Sequence, residues 1–218
     1  MALFRDRADA GRKLAFALAT YIPAHPVILA LPRGGVLVAS EVAEALNASL
    51  DLILVRKIGV PSQPELAMGA VVDGPTLTIV RNEEVISASG ISRAAFEAAC
   101  ASAMAEIERR RTRYLGNSAR YETSGRVAIV VDDGIATGAT VKAALRATRS
   151  RNPRELVLAV PVAPAETVEE LRSEADTIIC LHTPRPFDAV GRFYDDFEQV
   201  SDEQVIATLA RFTRDPQG

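Results

Sequence analysis

The sequence predicts an α/β fold in which a mostly parallel sheet is covered by helices on both faces. Two observations support this class: short runs that are apolar at every position alternate with stretches whose apolar residues recur at helical spacing. Strands that are apolar on both faces are typical of parallel sheets buried between two helical layers. At 218 residues the chain is long enough for one sizeable core, and no repeat divides it. We therefore expect a single domain over residues 1–218.

The first half of the chain is predicted to contain two strands of this sheet, a helix between them and a hairpin. Val27–Leu31 is a short apolar run that ends at Pro32. Leu37–Leu46 places its apolar residues on one helical face, and Leu52–Val55 is a second apolar run. The hairpin consists of the short strands Ala70–Val72 and Leu77–Val80 around a turn at Asp73-Gly74-Pro75.

The second half continues the alternation of helices and strands. Val127–Val131 is the strongest strand signal in the chain, and an alanine-rich helix over Ser92–Tyr114 precedes it. The later elements are a helix over Thr140–Ser150, a strand over Leu156–Val160, a helix over Pro164–Ser173, a strand over Thr177–Leu181 and a helix over Asp202–Phe212. Two segments are expected to be mobile or connecting, Ser62–Leu66 and Ser118–Gly125.

Composition and charge exclude several classes of protein. Hydrophobic residues make up 48% and charged residues 24%, the balance of an ordinary globular chain rather than a disordered one. With 25 basic and 28 acidic side chains the net charge is −3, so no global basic field exists to hold nucleic acid. Cys100 and Cys180 have no CxxC spacing, and no apolar run approaches the ~20 residues that span a bilayer. We expect a cytoplasmic, unprocessed chain with no nucleic-acid or membrane partner.

The segment 127–140 is the most informative part of the sequence. Two adjacent carboxylates, Asp132 and Asp133, stand where the apolar strand ends, and a loop of small residues leads directly into a helix. The free N–H groups and the dipole of a helix start attract anions. The donors expected here are the accessible backbone N–H groups of Gly134 and Gly138 and the hydroxyls of Thr137 and Thr140.

A phosphate site next to two carboxylates predicts a ligand with two kinds of polar group. Carboxylates repel phosphate but accept hydrogen bonds from sugar hydroxyls, so a phosphate near a diol satisfies both, as in ribose 5-phosphate. Other phosphate loops are excluded, because the loop has no Lys for a Walker A motif, no G-x-G-x-x-G and no D-x-D. The alternative is an acidic turn with a threonine N-cap.

Val130–Thr140 resembles the signature of the type I phosphoribosyltransferases: an apolar strand, two acidic residues and a loop that ends in T-G-x-T. The resemblance implies a core of that fold at about 27–181 and binding of phosphoribosyl pyrophosphate (PRPP). It implies that Asp132 and Asp133, the expected catalytic pair, bind the ribose 2- and 3-hydroxyls. The residues expected to bind the 5-phosphate are Gly134, Ile135, Ala136, Thr137, Gly138, Ala139 and Thr140.

PRPP also has a pyrophosphate on C1, so a second anion site is expected. Leu31–Val36 follows the first strand and opens a helix. In this segment Arg33 offers a guanidinium fork, and Gly34 and Gly35 offer accessible N–H groups. The segment resembles the pyrophosphate loop of the family, in which a non-proline peptide is often cis. The alternative is a strand-to-helix turn with a solvated arginine.

Val55–Pro61 follows the second predicted strand and is similar to the Arg-Lys segment of orotate phosphoribosyltransferases. The resemblance implies that Arg56 or Lys57 reaches the pyrophosphate, the other being an ion-pair partner. Ser62–Leu66 occupies the place of the family's flexible loop but contains no Lys or Arg, and a surface turn is the alternative there. The basic run Arg109–Arg113 is expected to be a solvated helix face, with the pyrophosphate mouth or a dimer seam as alternatives.

Four of the eleven aromatic residues lie close together after the last predicted strand: Phe187, Phe193, Tyr194 and Phe197. Family members place an acceptor-binding hood at one edge of the sheet, and the resemblance implies a small hood with the C-terminal helix at about 182–213. A flat base would stack on Phe187 or Tyr194, a contact worth ~1–3 kcal/mol. A small satellite core that fastens the C-terminal helix is an equal alternative.

The predicted function is transfer of the 5-phosphoribosyl group from PRPP to a nitrogen acceptor, a purine or pyrimidine base, with release of pyrophosphate. The resemblance implies Mg²⁺ on the pyrophosphate, held by substrate oxygens and water, and a homodimer. Two other functions use the same residues. One is a PRPP-binding regulator or sensor with little catalysis, and the other is a phosphohydrolase of phosphorylated ribosides.

Overall fold

The computed structural model describes residues 2–74, 77–116 and 120–212. These residues form eight strands: β1 Val27–Ala30, β2 Ser49–Leu52, β3 Val55–Val60, β4 Gln63–Val72, β5 Thr78–Arg81, β6 Val127–Val131, β7 Glu155–Val162 and β8 Thr177–His182. Five of them form a central sheet in the order β2-β1-β6-β7-β8, and every neighbouring pair is parallel. The predicted α/β class is therefore confirmed.

Helices cover both faces of this sheet. The α-helices of the described ranges are α1 Arg7–Ala17, α2 Gly34–Ala45, α3 Glu83–Ala88, α4 Arg93–Leu115, α5 Ala139–Arg149, α6 Ala165–Leu171 and α7 Asp202–Ala210, of which α3 and α4 pack on a second sheet described below. Side chains alternate along each strand, so the two faces belong to different cores. On β6, Ile129 packs in the core that contains α1, α2 and α7, whereas Val130 packs in the core that contains α5 and α6. No described helix is long and apolar enough to cross a membrane.

A second, antiparallel sheet of β3, β4 and β5 stands beside the parallel one. The predicted hairpin that turns at Asp73-Gly74 is formed by β4 and β5, although Pro75 lies outside the described residues. Helix α4 packs on this sheet, since Phe96 and Ile107 share a core with Ile58 and Met68. The antiparallel sheet thus extends the core beyond the β2 edge.

Two sequence predictions in this region are wrong. Leu52–Val55 is not one strand. Strand β2 ends at Leu52, and β3, which begins at Val55, belongs to the antiparallel sheet. The apolar run is continuous because Ile53 and Leu54, which join the two sheets, are also buried. Ser62–Leu66 is not a loop, because β4 begins at Gln63 and pairs with β3.

Helix α1 has no counterpart among the predicted elements. Asp6 is its N-cap residue, with Oδ1 accepting a hydrogen bond from the Asp9 N–H at 2.7 Å. The face of α1 turned to the core contains mostly small residues, and Leu14 is its main apolar contact. A helix with so few large apolar residues gives only a weak periodic signal in the sequence. The predicted connection Ser118–Gly125 lies partly outside the described residues.

The chain leaves two neighbouring strands of the parallel sheet toward opposite faces. Strand β1 leads into α2 and strand β6 leads into α5, and these helices belong to different cores. A crevice opens beyond the carboxyl ends of such strands, and open parallel sheets bind their ligands at this position. Both predicted anion loops begin here.

Candidate functional site

The acidic pair lies directly beyond the end of β6, where the crevice begins. Asp132 and Asp133 are half-buried, and Oδ1 of Asp132 accepts a hydrogen bond from the Asp133 N–H at 2.9 Å. Burial raises the pKa of the Asp132 carboxyl well above its usual value, and the charge of Asp133 raises it further. Two neighbouring carboxylates in a partly dehydrated site repel each other, so a nearby cation stabilises their ionised form.

That cation is Arg7, the first residue of α1. Its Nε donates to Oδ2 of Asp133 at 2.7 Å, and its Nη1 donates to the carbonyl oxygen of Glu198 at 2.9 Å. Its guanidinium carbon lies 3.8 Å from the centroid of the Phe197 ring. The side chains of Arg7 and Asp133 are only 10% and 15% exposed. Sequence reasoning did not identify Arg7, because nothing in the local sequence links positions 7 and 133.

The Arg33 loop lies against the acidic pair. The Pro32–Arg33 peptide is cis, as the resemblance implies. A Cβ atom added to Gly34 would lie 1.8 Å from Oδ2 of Asp133, and one added to Gly35 would lie 2.9 Å from the Cα of Asp132. Only glycine allows the start of α2 to approach the carboxylates this closely. The structure thus brings together the two loops that the sequence separates by about a hundred positions.

The segment between the acidic pair and α5 presents unused hydrogen-bond donors. Gly138 is the N-cap residue of α5 and has a φ of 73°, in the left-handed region that favours glycine. Ile135 is buried and anchors the loop, because its N–H donates to the end of β7 at 3.0 Å. In the described part of the chain, the backbone N–H groups of 136–138 and the hydroxyls of Thr137 and Thr140 have no hydrogen-bond partner. Such donors at a helix start suit an anion.

The Arg33 side chain points toward the start of α7. Its Nη1 lies 3.7 Å from a carboxylate oxygen of Asp202, which is too long for a good hydrogen bond. Asp202 instead accepts a hydrogen bond from the Tyr114 hydroxyl at 2.5 Å and pairs with Arg113 at 3.0 Å. The Tyr114 bond and the nearby arginines lower the pKa of Asp202, while burial and Asp202 raise the pKa of Tyr114 to about 12. Arg33 is therefore held loosely, with its guanidinium 36% exposed.

The arginine run on α4 is an ion-paired helix face. Arg109 and Arg110 both bind Glu106 at 2.9 Å, and Arg111 lies 3.7 Å from Glu108. Hydrogen bonds from Arg109 and Arg110 lower the pKa of Glu106 to about 2. These pairs agree with the expectation of a solvated face for Arg109–Arg113.

Arg56 and Lys57 lie within β3, not in a loop after a strand as the sequence suggests. Both are exposed, and neither forms an ion pair with a described residue. Together with Arg109 and Glu106 they line a cavity of about 480 Å³ between β3 and α4. The correction follows from the strand boundary, since the chain has already entered the antiparallel sheet at Val55.

The aromatic cluster forms a small core that holds the N-terminal segment. Tyr194 is 5% exposed, its ring lies between Phe4 and Phe197 at centroid distances of 5.2 and 4.9 Å, and its hydroxyl donates to the Asp133 carbonyl oxygen at 2.5 Å. Phe187 is half-buried against Phe193, at 5.0 Å. The satellite core that the sequence offered as an alternative exists, but it fastens residues 3–5 rather than the C-terminal helix. A stacking role for Phe187 stays a prediction.

This geometry defines a class of protein. The crevice combines a loop of free donors at a helix start, a second loop with an arginine, and two carboxylates between them. These groups suit a ligand that is anionic at both ends and hydroxylated in the middle. In the described ranges no group of three His, Cys, Asp or Glu side chains is placed to hold a metal ion. The site therefore defines an α/β protein with two candidate anion-binding loops next to one acidic pair.

Comparisons with known proteins agree with this class. The family model described as phosphoribosyl transferase domain matches residues 5–193. Two Mycobacterium tuberculosis proteins, from strains CDC 1551 and H37Rv and both named "Putative phosphoribosyl transferase", are 46% identical over 215 residues, or 99% of this chain. The chain spans about half the length of these relatives, 48%. The crystal structure of TT1426 from Thermus thermophilus is 42% identical, with a TM-score of 0.86 over 98% of this chain and 100% of that one.

The chain belongs to the phosphoribosyl transferase domain family. The resemblance found in Val130–Thr140 is thereby confirmed for the family.

Proposed function

We propose that the protein transfers the 5-phosphoribosyl group of PRPP to a nitrogen atom of a purine or pyrimidine base and releases pyrophosphate. The contact between Gly34 and Asp133 supports this most strongly, because it places an anion loop on each side of one acidic pair. PRPP has a phosphate at one end, a pyrophosphate at the other and a diol between them. Its three polar regions match the order of donors, carboxylates and donors along the crevice.

Each part of PRPP has a binding partner in this proposal. The 5-phosphate accepts hydrogen bonds from the N–H groups of 136–138 and from the threonine hydroxyls at the start of α5. Asp132 and Asp133 accept hydrogen bonds from the ribose hydroxyls. The pyrophosphate lies at Arg33 and at the N–H groups that begin α2, with Arg56 and Lys57 as additional cations on β3.

The same groups favour the reaction. As the bond from C1 to the pyrophosphate oxygen breaks and the bond from C1 to nitrogen forms, the ribose gains positive charge and the pyrophosphate gains negative charge. Asp132 and Asp133 stabilise the first, and Arg33 with the N–H groups of α2 stabilises the second. Because the acidic pair and the N–H groups of α2 are held in place by the fold, little reorganisation of these groups is needed during the reaction, whereas the loosely held Arg33 can move to the pyrophosphate.

Mg²⁺ fits this site as part of the substrate complex. The described residues build no cage of three or more metal ligands, whereas Mg²⁺ readily takes phosphate oxygens and keeps several waters. The pyrophosphate of PRPP and water would supply its ligands, and the bound ion would neutralise charge on the leaving group.

Two further features of the proposal follow from the family and the composition. We propose a homodimer, which sedimentation of the purified chain would test. Cys100 and Cys180 are both free, which fits a reducing cytoplasm.

The decisive experiment is thermal unfolding with and without PRPP and Mg²⁺. We expect PRPP to raise the melting temperature, since a ligand that binds only the native state stabilises it. Asp132→Asn with Asp133→Asn should abolish the shift. The matched control is Glu83→Gln with Glu84→Gln, a second adjacent acidic pair that is exposed at the start of α3. No shift in the parent protein would overturn the proposal.

Catalysis is tested separately by pyrophosphate release from PRPP across a panel of purines and pyrimidines. Release that requires one base identifies the acceptor. Tight PRPP binding with no release across the panel would instead favour the regulator or sensor. Release of phosphate or pyrophosphate without any base would favour the phosphohydrolase.

A further inference from the structure

Arg7 is held by three separate groups, although it lies outside both anion loops. Its Nε donates to Asp133, its Nη1 donates to the Glu198 carbonyl oxygen, and its guanidinium stacks on Phe197. With a side chain 10% exposed, it has little contact with solvent. Burying a charged side chain in this way costs more free energy of desolvation than forming a surface ion pair, so we expect Arg7 to do more than keep the protein in solution.

The contacts of Asp133 show what Arg7 fixes. Oδ2 of Asp133 binds Arg7, its N–H binds Asp132, and its carbonyl oxygen accepts from Tyr194. On the remaining side stands Gly34, whose missing Cβ leaves room for the carboxylate. The carboxylate of Asp133 is therefore held by Arg7 at the start of α1, and its backbone carbonyl is held by Tyr194 of the aromatic cluster.

Arg7 also balances the charge of the acidic pair. The titratable groups that face the pair are Arg7 from α1 and Tyr194 from the aromatic cluster. Helix α2 contributes only glycines at this contact. Arg7 is the one cation that forms an ion pair with either carboxylate among the described residues. Without it, the two carboxylates would face each other with no positive charge in contact.

We propose that Arg7 is a positioning residue for PRPP: it acts through Asp133 by fixing the carboxylate that binds the ribose diol. This inference rests on the proposed function. Arg7, together with the Phe197 and Glu198 contacts that hold it, then supports the ligand site from outside the loops that contact the phosphates. Arg7 touches no part of the ligand in this arrangement, so its effect is limited to ligands that contain the diol.

The test compares a ligand with the diol and a ligand without it. Dissociation constants for PRPP and for inorganic pyrophosphate, each with Mg²⁺, are measured by calorimetry on the full chain. Arg7→Gln should weaken PRPP by about tenfold or more, the scale of coupling within one hydrogen-bonded network, and change pyrophosphate by less than about twofold. Arg7→Lys keeps the charge but cannot bind both Asp133 and Glu198, so its PRPP affinity should fall between the parent and Arg7→Gln.

The control is Arg12→Gln, which removes an exposed ion pair between α1 and Glu41 and should leave both constants unchanged. Equal PRPP affinity in the parent and in Arg7→Lys overturns the inference, even if Arg7→Gln fails to fold. An equal loss for PRPP and pyrophosphate also overturns it, because Arg7 would then support the fold in general. A parent protein that does not bind PRPP refutes the proposed function instead, so the two failures are distinguishable.

Discussion

Gly34→Ala is predicted to destabilise the protein even though the substitution improves helix propensity. Gly34 is the first residue of α2, where alanine is favoured over glycine by up to ~1 kcal/mol. The new Cβ would lie 1.8 Å from Oδ2 of Asp133, and an acceptable contact of at least 3.0 Å requires that oxygen to move by about 1.2 Å. Such a movement breaks the 2.7 Å contact with Arg7.

The magnitude follows from the burial of that ion pair. Breaking a buried pair costs ~3–5 kcal/mol, and the value here is smaller because Arg7 keeps its contacts with Glu198 and Phe197. After subtraction of the helix-propensity gain, we expect Gly34→Ala to lower the free energy of unfolding by about 2 kcal/mol.

Urea unfolding of four proteins measures this effect: the parent, Gly34→Ala, Asp133→Ala and the double variant. In the Asp133→Ala background the oxygen that opposes the new Cβ is absent and only the Arg7 Nε, at 2.9 Å, has to shift, so Gly34→Ala should cost much less than in the parent. The reasoning is refuted if Gly34→Ala is as stable as the parent, or if its cost is the same in both backgrounds.

Two further predictions concern pH. Burial and the charge of Asp133 raise the pKa of Asp132, so its ionisation destabilises the fold as pH rises above its unfolded pKa. Asp132→Asn should therefore raise the melting temperature at pH 8, which corresponds to a gain of ~0.5–2 kcal/mol in the free energy of unfolding. This gain should shrink toward pH 4. A parent protein that is more stable than Asp132→Asn at pH 8 would contradict the prediction. Tyr114→Phe removes the bond that lowers the pKa of Asp202, a contribution present above the unfolded pKa of that carboxyl and lost as pH falls. It should cost ~1 kcal/mol in urea unfolding at pH 7 and progressively less as pH falls below the unfolded pKa of that carboxyl, and a cost independent of pH would exclude this origin.

The sequence predicted the parallel sheet because its strands are buried on both faces. Val127–Val131 is apolar at every position, and each of its side chains is buried in one of the two cores. The same signal failed at Leu52–Val55, because periodicity reports burial and not the sheet to which a strand belongs. Ser62–Leu66 is predicted as a mobile or connecting segment, whereas Gln63 and Pro64 form the exposed start of β4, which pairs with β3.

Site residues divide in the same way. Asp132, Asp133 and the glycines of both loops were identified because each belongs to a short motif whose chemistry is local. Arg7 was not identified because its role depends on a contact with Asp133, which lies 126 positions away in the sequence. Tyr194 was identified as an aromatic that suits a base, and its burial between two rings could not be inferred from composition.

The sequence by itself determined the α/β class, the order of carboxylates and donors in the 132–140 loop, and the arginine and glycines of the other loop. These features depend on neighbouring residues, whose relative positions are fixed by strand and helix geometry. Only the tertiary structure decided that the Arg33 loop touches the acidic pair, that Arg7 pairs with Asp133, and that the aromatic cluster fastens the N-terminal segment. Those contacts join distant parts of the chain, and packing around the two cores is what brings them together.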